Sequence, residues 1–456
     1  MLLFLIATFF YGQPLPDSVI NHYRSVKTSS DKGRVLHNYV RKSMPGTPSQ
    51  KIPVFLTQLD YFKEINDPIG IAYSQYFIAD ALWDIDDYTN SLKYSIPVLQ
   101  SFEENKDTFG IIRSLLTIGG VFSASRNNEQ GLEYYKKCLS ITKGYHDKRL
   151  YSYCLNSLAD CLNKMNLPDS ALPFAQEALR VGQELKDTLN LAATIGTLGE
   201  TYIARGEHDI ARPFLRQALQ YSKKYNQRFT ISYTLNDFAQ SFFETSQHDS
   251  SLSYARQALT YAQPDYKSLM MTAYEWLYRN FEKQDKQDSV YKYFRLAMET
   301  KDALFTIEKT RSIQSMDFQE QIRQKELEKE RFNATKERKK NIQMALIAFG
   351  LITFIILYLI LSRRFITNTK VIVFLGVIAL LMIFEFLNLL LHPFLEKITH
   401  HTPVLMLLAL VSIAAILVPL HHRIEKWATH KLVEKNKKVR LAAAKKTIAK
   451  LEGEKE

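Results

Sequence analysis

Three sets of residues carry side chains able to do chemistry. The first is the thiols, Cys138, Cys154 and Cys161, the only cysteines in 456 residues. Three are too few for a disulfide-built fold or a zinc-ribbon array. Cys138 and Cys154 fall at facing positions of neighbouring helices, so buried free thiols are the first expectation and a disulfide in an oxidising compartment the second. Cys161 is the odd thiol in either case. The second set is Glu385, with Asn388 one turn on and His392 two turns on, inside an otherwise apolar run. An ionisable group there is costly and marks either function or burial against another helix. His392, His400, His401, His421 and His422 follow no metal-ligand spacing, and no metal is expected. Ser, His and Asp residues form no nucleophile elbow, and no phosphate loop or paired-carboxylate motif occurs. Neither an enzyme nor a cofactor is expected.

The third set recurs along the chain. It comprises Tyr73, Tyr76, Asp80 and Trp83; Arg113; Tyr153, Asn156, Asp160 and Asn163; Glu200; Tyr233, Asn236 and Gln240; and Glu275 and Arg279. Rings offer rigid contact area, and an amide bonds a peptide backbone as donor and as acceptor, so this mixture suits an extended peptide. Asn156 and Asn236 hold equivalent places two periods apart.

The elements that must position these residues are read from periodicity. Small residues recur at Ala79, Gly119, Ala159, Gly199 and Ala239, and again at Ser91, Gly131, Ala171, Ala211, Ser251 and Val290. The steps of the second series are 40, 40, 40, 40 and 39. A third series, Val98, Cys138, Ala178, Ala218, Ala258 and Ala297, follows seven positions later. Antiparallel helices pack closely only where a side chain is small, and the large apolar residues beside it then fill the seam. Ile118, Phe122, Leu158, Leu162, Leu198, Tyr202, Phe238, Phe242, Leu277 and Phe281 do so here. One hairpin cannot bury both its faces, so stacked copies must share a core. The expected fold is all-α: an α-solenoid of six hairpins over residues 66–305, with 13–65 as a cap or decayed repeat. The first helix of each hairpin then lines the concave face, where the recurring set lies.

The pattern resembles the tetratricopeptide repeat family, through Leu198-Gly199-Glu200-Thr201-Tyr202 followed by Ala211 and Ala218. The period of 40 exceeds the family's usual length, the family's Trp and terminal Pro are missing, and Tyr278 replaces the small residue in the sixth copy. Lys106-Asp107, His146-Asp147, Lys186-Asp187 and Asn226-Gln227 end the helices instead. What the resemblance implies is a groove that takes a peptide or protein.

Apolar residues make up 46% and charged residues 23%, which excludes a disordered chain, and 16 Gly with 14 Pro exclude a low-complexity one. The net charge of +12 is uneven: Arg423 to Glu456 holds 11 Lys and Arg against 5 Asp and Glu. Residues 1–12 are apolar and read as a signal peptide cleaved near Gly12-Gln13. Residues 306–340 read as a long charged helix, with Ile313, Met316, Phe318, Ile322 and Leu327 as a weak coiled-coil seam and dimer contact. Three apolar runs, 341–362, 371–392 and 403–420, are long enough to span a bilayer. Arg363, Arg364 and Lys370, with the basic tail 421–456, put that side in the cytoplasm, so the repeats are expected outside it, in a bacterial inner membrane. A polybasic stretch beside a membrane meets anionic lipid, and no nucleic-acid partner is expected.

The order of segments resembles bacterial tetratricopeptide-repeat membrane proteins of the sensor type. The runs Ile307-Glu-Lys-Thr-Arg-Ser-Ile-Gln and Val418-Pro-Leu-His-His-Arg-Ile-Glu-Lys-Trp427 carry that likeness. No output module is recognised, so kinase activity is not carried over. The expected function is a membrane-anchored, non-enzymatic sensor or adaptor that binds a peptide or protein and engages a cytoplasmic partner. The alternatives are an envelope assembly scaffold and a histidine-kinase-like sensor separated from its output domain.

Overall fold

Residues 15–44, 46–262 and 264–364, and scattered positions between 370 and 449, are described by a computed structural model. They are helical and contain no strand. Three helices come first: α1 (Asp17–Ser25), α2 (Ser29–Lys42) and α3 (Pro48–Glu64). Six antiparallel hairpins follow, α4 (Pro68–Asp84) with α5 (Tyr88–Glu104), α6 (Thr108–Ala124) with α7 (Asn128–Thr142), and α8 (Lys148–Lys164) with α9 (Pro168–Glu184). The rest are α10 (Thr188–Ala204) with α11 (His208–Lys224), α12 (Arg228–Glu244) with α13 (His248–Ala262), and α14 (Lys267–Lys283) with α15 (Gln287–Leu304). Helix α16 (Ile307–Arg364) leads out of this first unit, which ends at Ile322, into a second.

The small-residue series close the seams. Within a hairpin, Ser91 Oγ donates to the Ala79 carbonyl at 2.8 Å and Ser251 Oγ to the Ala239 carbonyl at 2.7 Å. A Cβ on Gly131 would stand 3.0 Å from the Gly119 oxygen, so this pair of backbones is in contact. Toward the other end of a hairpin, Ser152 Oγ donates to the Ala178 carbonyl at 2.9 Å and Ser232 Oγ to the Ala258 carbonyl at 2.8 Å. Between hairpins, Cys138 of α7 and Cys154 of α8 face each other, both with no exposed surface, Cα atoms 6.3 Å apart and bonded as a disulfide. Burial at facing seam positions brings them together, which corrects the first expectation of free thiols. Cys161 is the buried free thiol.

Helix ends repeat one solution. At the α4–α5 turn the Asp86 N–H bonds to the Trp83 carbonyl at 3.0 Å and the Asp87 N–H to that of Leu82 at 2.8 Å, with Asp86 left-handed at φ 64°. This is a Schellman closure whose last residue is also the next helix's N-cap. Asn66, Lys106, Arg126, Asn166, Lys186, Gly206, Asn226 and Ser246 are left-handed at the equivalent places, so a single glycine serves among them. The polar junctions at Lys106, Lys186 and Asn226 thus stop helices through backbone geometry, and Asp107 and Asp147 cap the helices that follow them.

Two features set the shape of the concave face. The stack winds back on itself: Asp86 Oδ2 accepts the N–H of Ser268, at the start of the sixth hairpin, at 2.7 Å. Helix α2 runs along the starts of the first helices. Ser30 Oγ donates to Asp107 at 2.6 Å, Arg34 reaches Tyr145, and Arg41 donates to Asp187 at 2.6 Å. From Ser30 to Arg41 a helix rises about 16 Å, enough to bridge two hairpins. Gly33 allows this approach, since a Cβ there would fall 1.9 Å from the ring of the buried Tyr73.

Ile313 of α16 is buried in the first unit's core and Met316 packs against it, while Phe318 is exposed. Ile313 and Met316 therefore serve intrachain packing rather than the dimer seam read from sequence. Among the described residues, one stretch is long and apolar enough to cross a membrane by length and composition. It is the apolar part of α16, where Leu346, Phe349, Ile352 and Ile356 are exposed. Glu385 is helical and lines an apolar cleft with Ile347, Phe354 and Met382. Residues 1–12, read from sequence as a signal peptide, and Asn388 lie outside the described residues, as do most of 371–392, 403–420 and the tail 421–456.

Candidate functional site: the concave face

A cavity of about 480 Å³ opens on the concave side. Its walls come from the first helices, through Asp80, Trp83 and Asp84 of α4, Arg113 of α6, Asn156 of α8, Asn190 of α10 and Thr230 of α12. His37 and Arg41 of α2 and Lys51 of α3 close one side. These last three lie in a segment without the repeat period, and no spacing in the sequence marks them.

At the mouth the charges are arranged in order. Arg113 donates to the Tyr76 hydroxyl at 2.9 and 2.6 Å and stands 3.9 Å from Asp80. Thr117 Oγ1 donates to Asp80 at 3.0 Å. Burial and the neighbouring Asp80 push the Asp84 carboxyl well above the usual range, against the pull of Lys51. Burial first, then Arg113 and Arg41, hold His37 well below its ordinary value, so it is neutral. Tyr73 is fully buried and donates to Asp107 at 2.7 Å, away from the cavity. Tyr153 donates to Asp187 at 2.8 Å beneath the Arg41 guanidinium. Trp83 covers Gly120.

Further along the same helices lies a second group. Asp160 accepts from Lys164 at 2.8 Å and from the Tyr233 hydroxyl at 3.1 Å. Asn163 donates to Thr201 Oγ1 at 3.0 Å. Burial, then Asp160, pushes Glu200 up to about 8. Burial, then Glu200 and Asp160, pushes Asp237 well above the carboxylate range. Sequence reasoning missed Asp237, because it precedes the small Ala239 by two places and reads there as seam. Its neighbour Asn236 instead turns to the next hairpin, donating to the Leu269 carbonyl at 3.2 Å. Gln240 pairs with Glu244 at 2.9 Å, and Arg279 is exposed over the Trp276 ring. Glu275 is partly buried on α14 and lines none of the walls named above.

Several acceptors here have nothing to accept from. Asn156 Oδ1, Asn163 Oδ1, Glu200 Oε2 and Asp237 Oδ2 are buried without a hydrogen-bond partner. A buried polar atom left unpaired costs about 1–3 kcal/mol, so the arrangement is one that a donor-bearing guest relieves.

The tetratricopeptide repeat family matches residues 110–184, 151–224 and 190–263, and this part of the chain carries tetratricopeptide repeats. No curated protein matches it. Among solved structures it is similar to the apo form of RapI, at 17% identity and a TM-score of 0.43 over 65% of this chain and 99% of that one. A Rap protein complexed with competence and sporulation factor shows 13% identity and a TM-score of 0.44, covering 63% and 95%. NprR in complex with its cognate peptide NprX shows 14% and 0.43, covering 59% and 82%.

Proposed function

We propose that the concave face binds an extended peptide or an unfolded protein segment, and that the protein is a membrane-anchored, non-enzymatic adaptor. The observation that carries this reading is the cavity of about 480 Å³ walled by five first helices, with unpartnered acceptors along the same helices. Such a site is long, polar and studded with rings, as an extended chain requires. The exposed apolar part of α16 supports anchoring, and the buried Cys138–Cys154 pair supports placing the repeats in an oxidising compartment outside the cytoplasm.

A photo-crosslinking side chain in place of Asn156 should capture a peptide or protein in living cells, whereas one in place of the exposed Gln217 should not. Equal capture at the two places overturns the groove reading. For the topology, Gly144→Cys in an open turn should react with a membrane-impermeant maleimide in intact cells. Reaction only after lysis overturns the outward placement.

A further inference from the structure

We infer that Asp160, Glu200 and Asp237, on three successive first helices, form a subsite for a guanidinium or ammonium group on the ligand of the concave face. The inference rests on that face being a peptide site and adds the chemistry of one ligand side chain.

Three observations converge. Three carboxyls share one ammonium, Lys164, which is already committed to Asp160 at 2.8 Å, so Glu200 and Asp237 have no protein cation of their own. Four unpaired oxygens of α8, α10 and α12 can accept: Glu200 Oε2, Asp237 Oδ2 and the amide oxygens of Asn156 and Asn163. A guanidinium offers five donors and no acceptor, and so is complementary to them. Finally, Asp237 is only 7% exposed and has no partner for Oδ2, an expensive position for a carboxylate unless a cation arrives. Asn or Gln at these places would remove the mutual repulsion and keep the shape. A metal ion is the poorer occupant, because no group of three suitable ligands converges among the described residues. The other titratable groups beside the cluster are Tyr233, which donates to Asp160, and Tyr135 and Cys161, which lie near it and are neutral.

The test uses two capped heptapeptides of Ala and Ser, one with a central Arg and one with citrulline, which has the same shape and no charge. Binding to the full-length protein in mild detergent is read by calorimetry. The Arg peptide should bind at least about tenfold more tightly. The double variant Glu200→Gln, Asp237→Asn should bind both alike, while its unfolding midpoint stays at or above that of the parent, which separates a lost subsite from a lost fold. Equal binding of the two peptides by the parent overturns the cation subsite and leaves the groove standing. Absence of saturable Arg-peptide binding also overturns the subsite, and the groove is then decided by crosslinking at Asn156.

Discussion

Glu200→Gln should make the protein more stable at alkaline pH, by an amount that can be worked from the site. The Glu200 carboxyl is pushed up to about 8 from an ordinary 4.5, by burial and then by Asp160, with Lys164 opposing. Between those values the folded protein keeps a proton that the unfolded chain has released. Stability therefore falls as pH rises from about 4.5 through about 8. At about 1.4 kcal/mol for each pH unit the whole interval amounts to roughly 5 kcal/mol, and solvent reaching this part-buried group brings that to about 2–3. Glutamine keeps the shape and has no proton to lose. Its removal of one charge also lets Asp237 ionise more easily, so the variant loses part of a second penalty.

Urea unfolding of parent and variant at pH 5, 7 and 9, followed by tryptophan emission in detergent, reads Glu200 together with the part of the Asp237 shift that depends on it, because titrations elsewhere are shared. The two should unfold together at pH 5 and separate by about 2–3 kcal/mol at pH 9. A constant difference across that range, of either sign, refutes the reasoning: it would mean that Glu200 is ionised throughout and that water or Lys164 satisfies it.

Two further substitutions probe the frame. Gly33→Val forces a side chain into the Tyr73 ring, where even a Cβ would stand 1.9 Å away, and should lift α2 from the first helices; hydrogen exchange over residues 29–42 should quicken while that of α12 and α13 stays unchanged. Lys186 is exposed and left-handed at φ 51°, so Lys186→Gly should stabilise by about 0.5–1 kcal/mol, whereas Gly206→Ala, at φ 76°, should destabilise by about 1, both read as shifts in urea midpoint.

Which parts of this molecule a sequence can express follows from how each is held. The seams are periodic because every hairpin solves the same packing problem, so Ala79, Gly119, Ala159, Gly199 and Ala239 announce the solenoid by spacing alone. Asp160 and Glu200 directly follow two of these residues, and a helix with a fixed seam must turn the next position toward the concave side. Cys138 and Cys154 are legible as neighbours on the same grounds, yet whether they bond depends on their Cα separation of 6.3 Å, which spacing does not state. The rest of the cavity is built by contacts that occur once. Arg41 meets Asp187, 146 residues away, and Ser268 meets Asp86, 182 residues away. No period can signal an interaction without a second copy. Asp237 is the instructive case: Ser157 and Thr197 stand at its place in the two preceding hairpins, and only a carboxyl among hydroxyls distinguishes it. An ionisable group in a place where its repeat equivalents are small and neutral costs the stack stability, and that cost is the reason for proposing that a ligand, rather than the fold, completes its bonding.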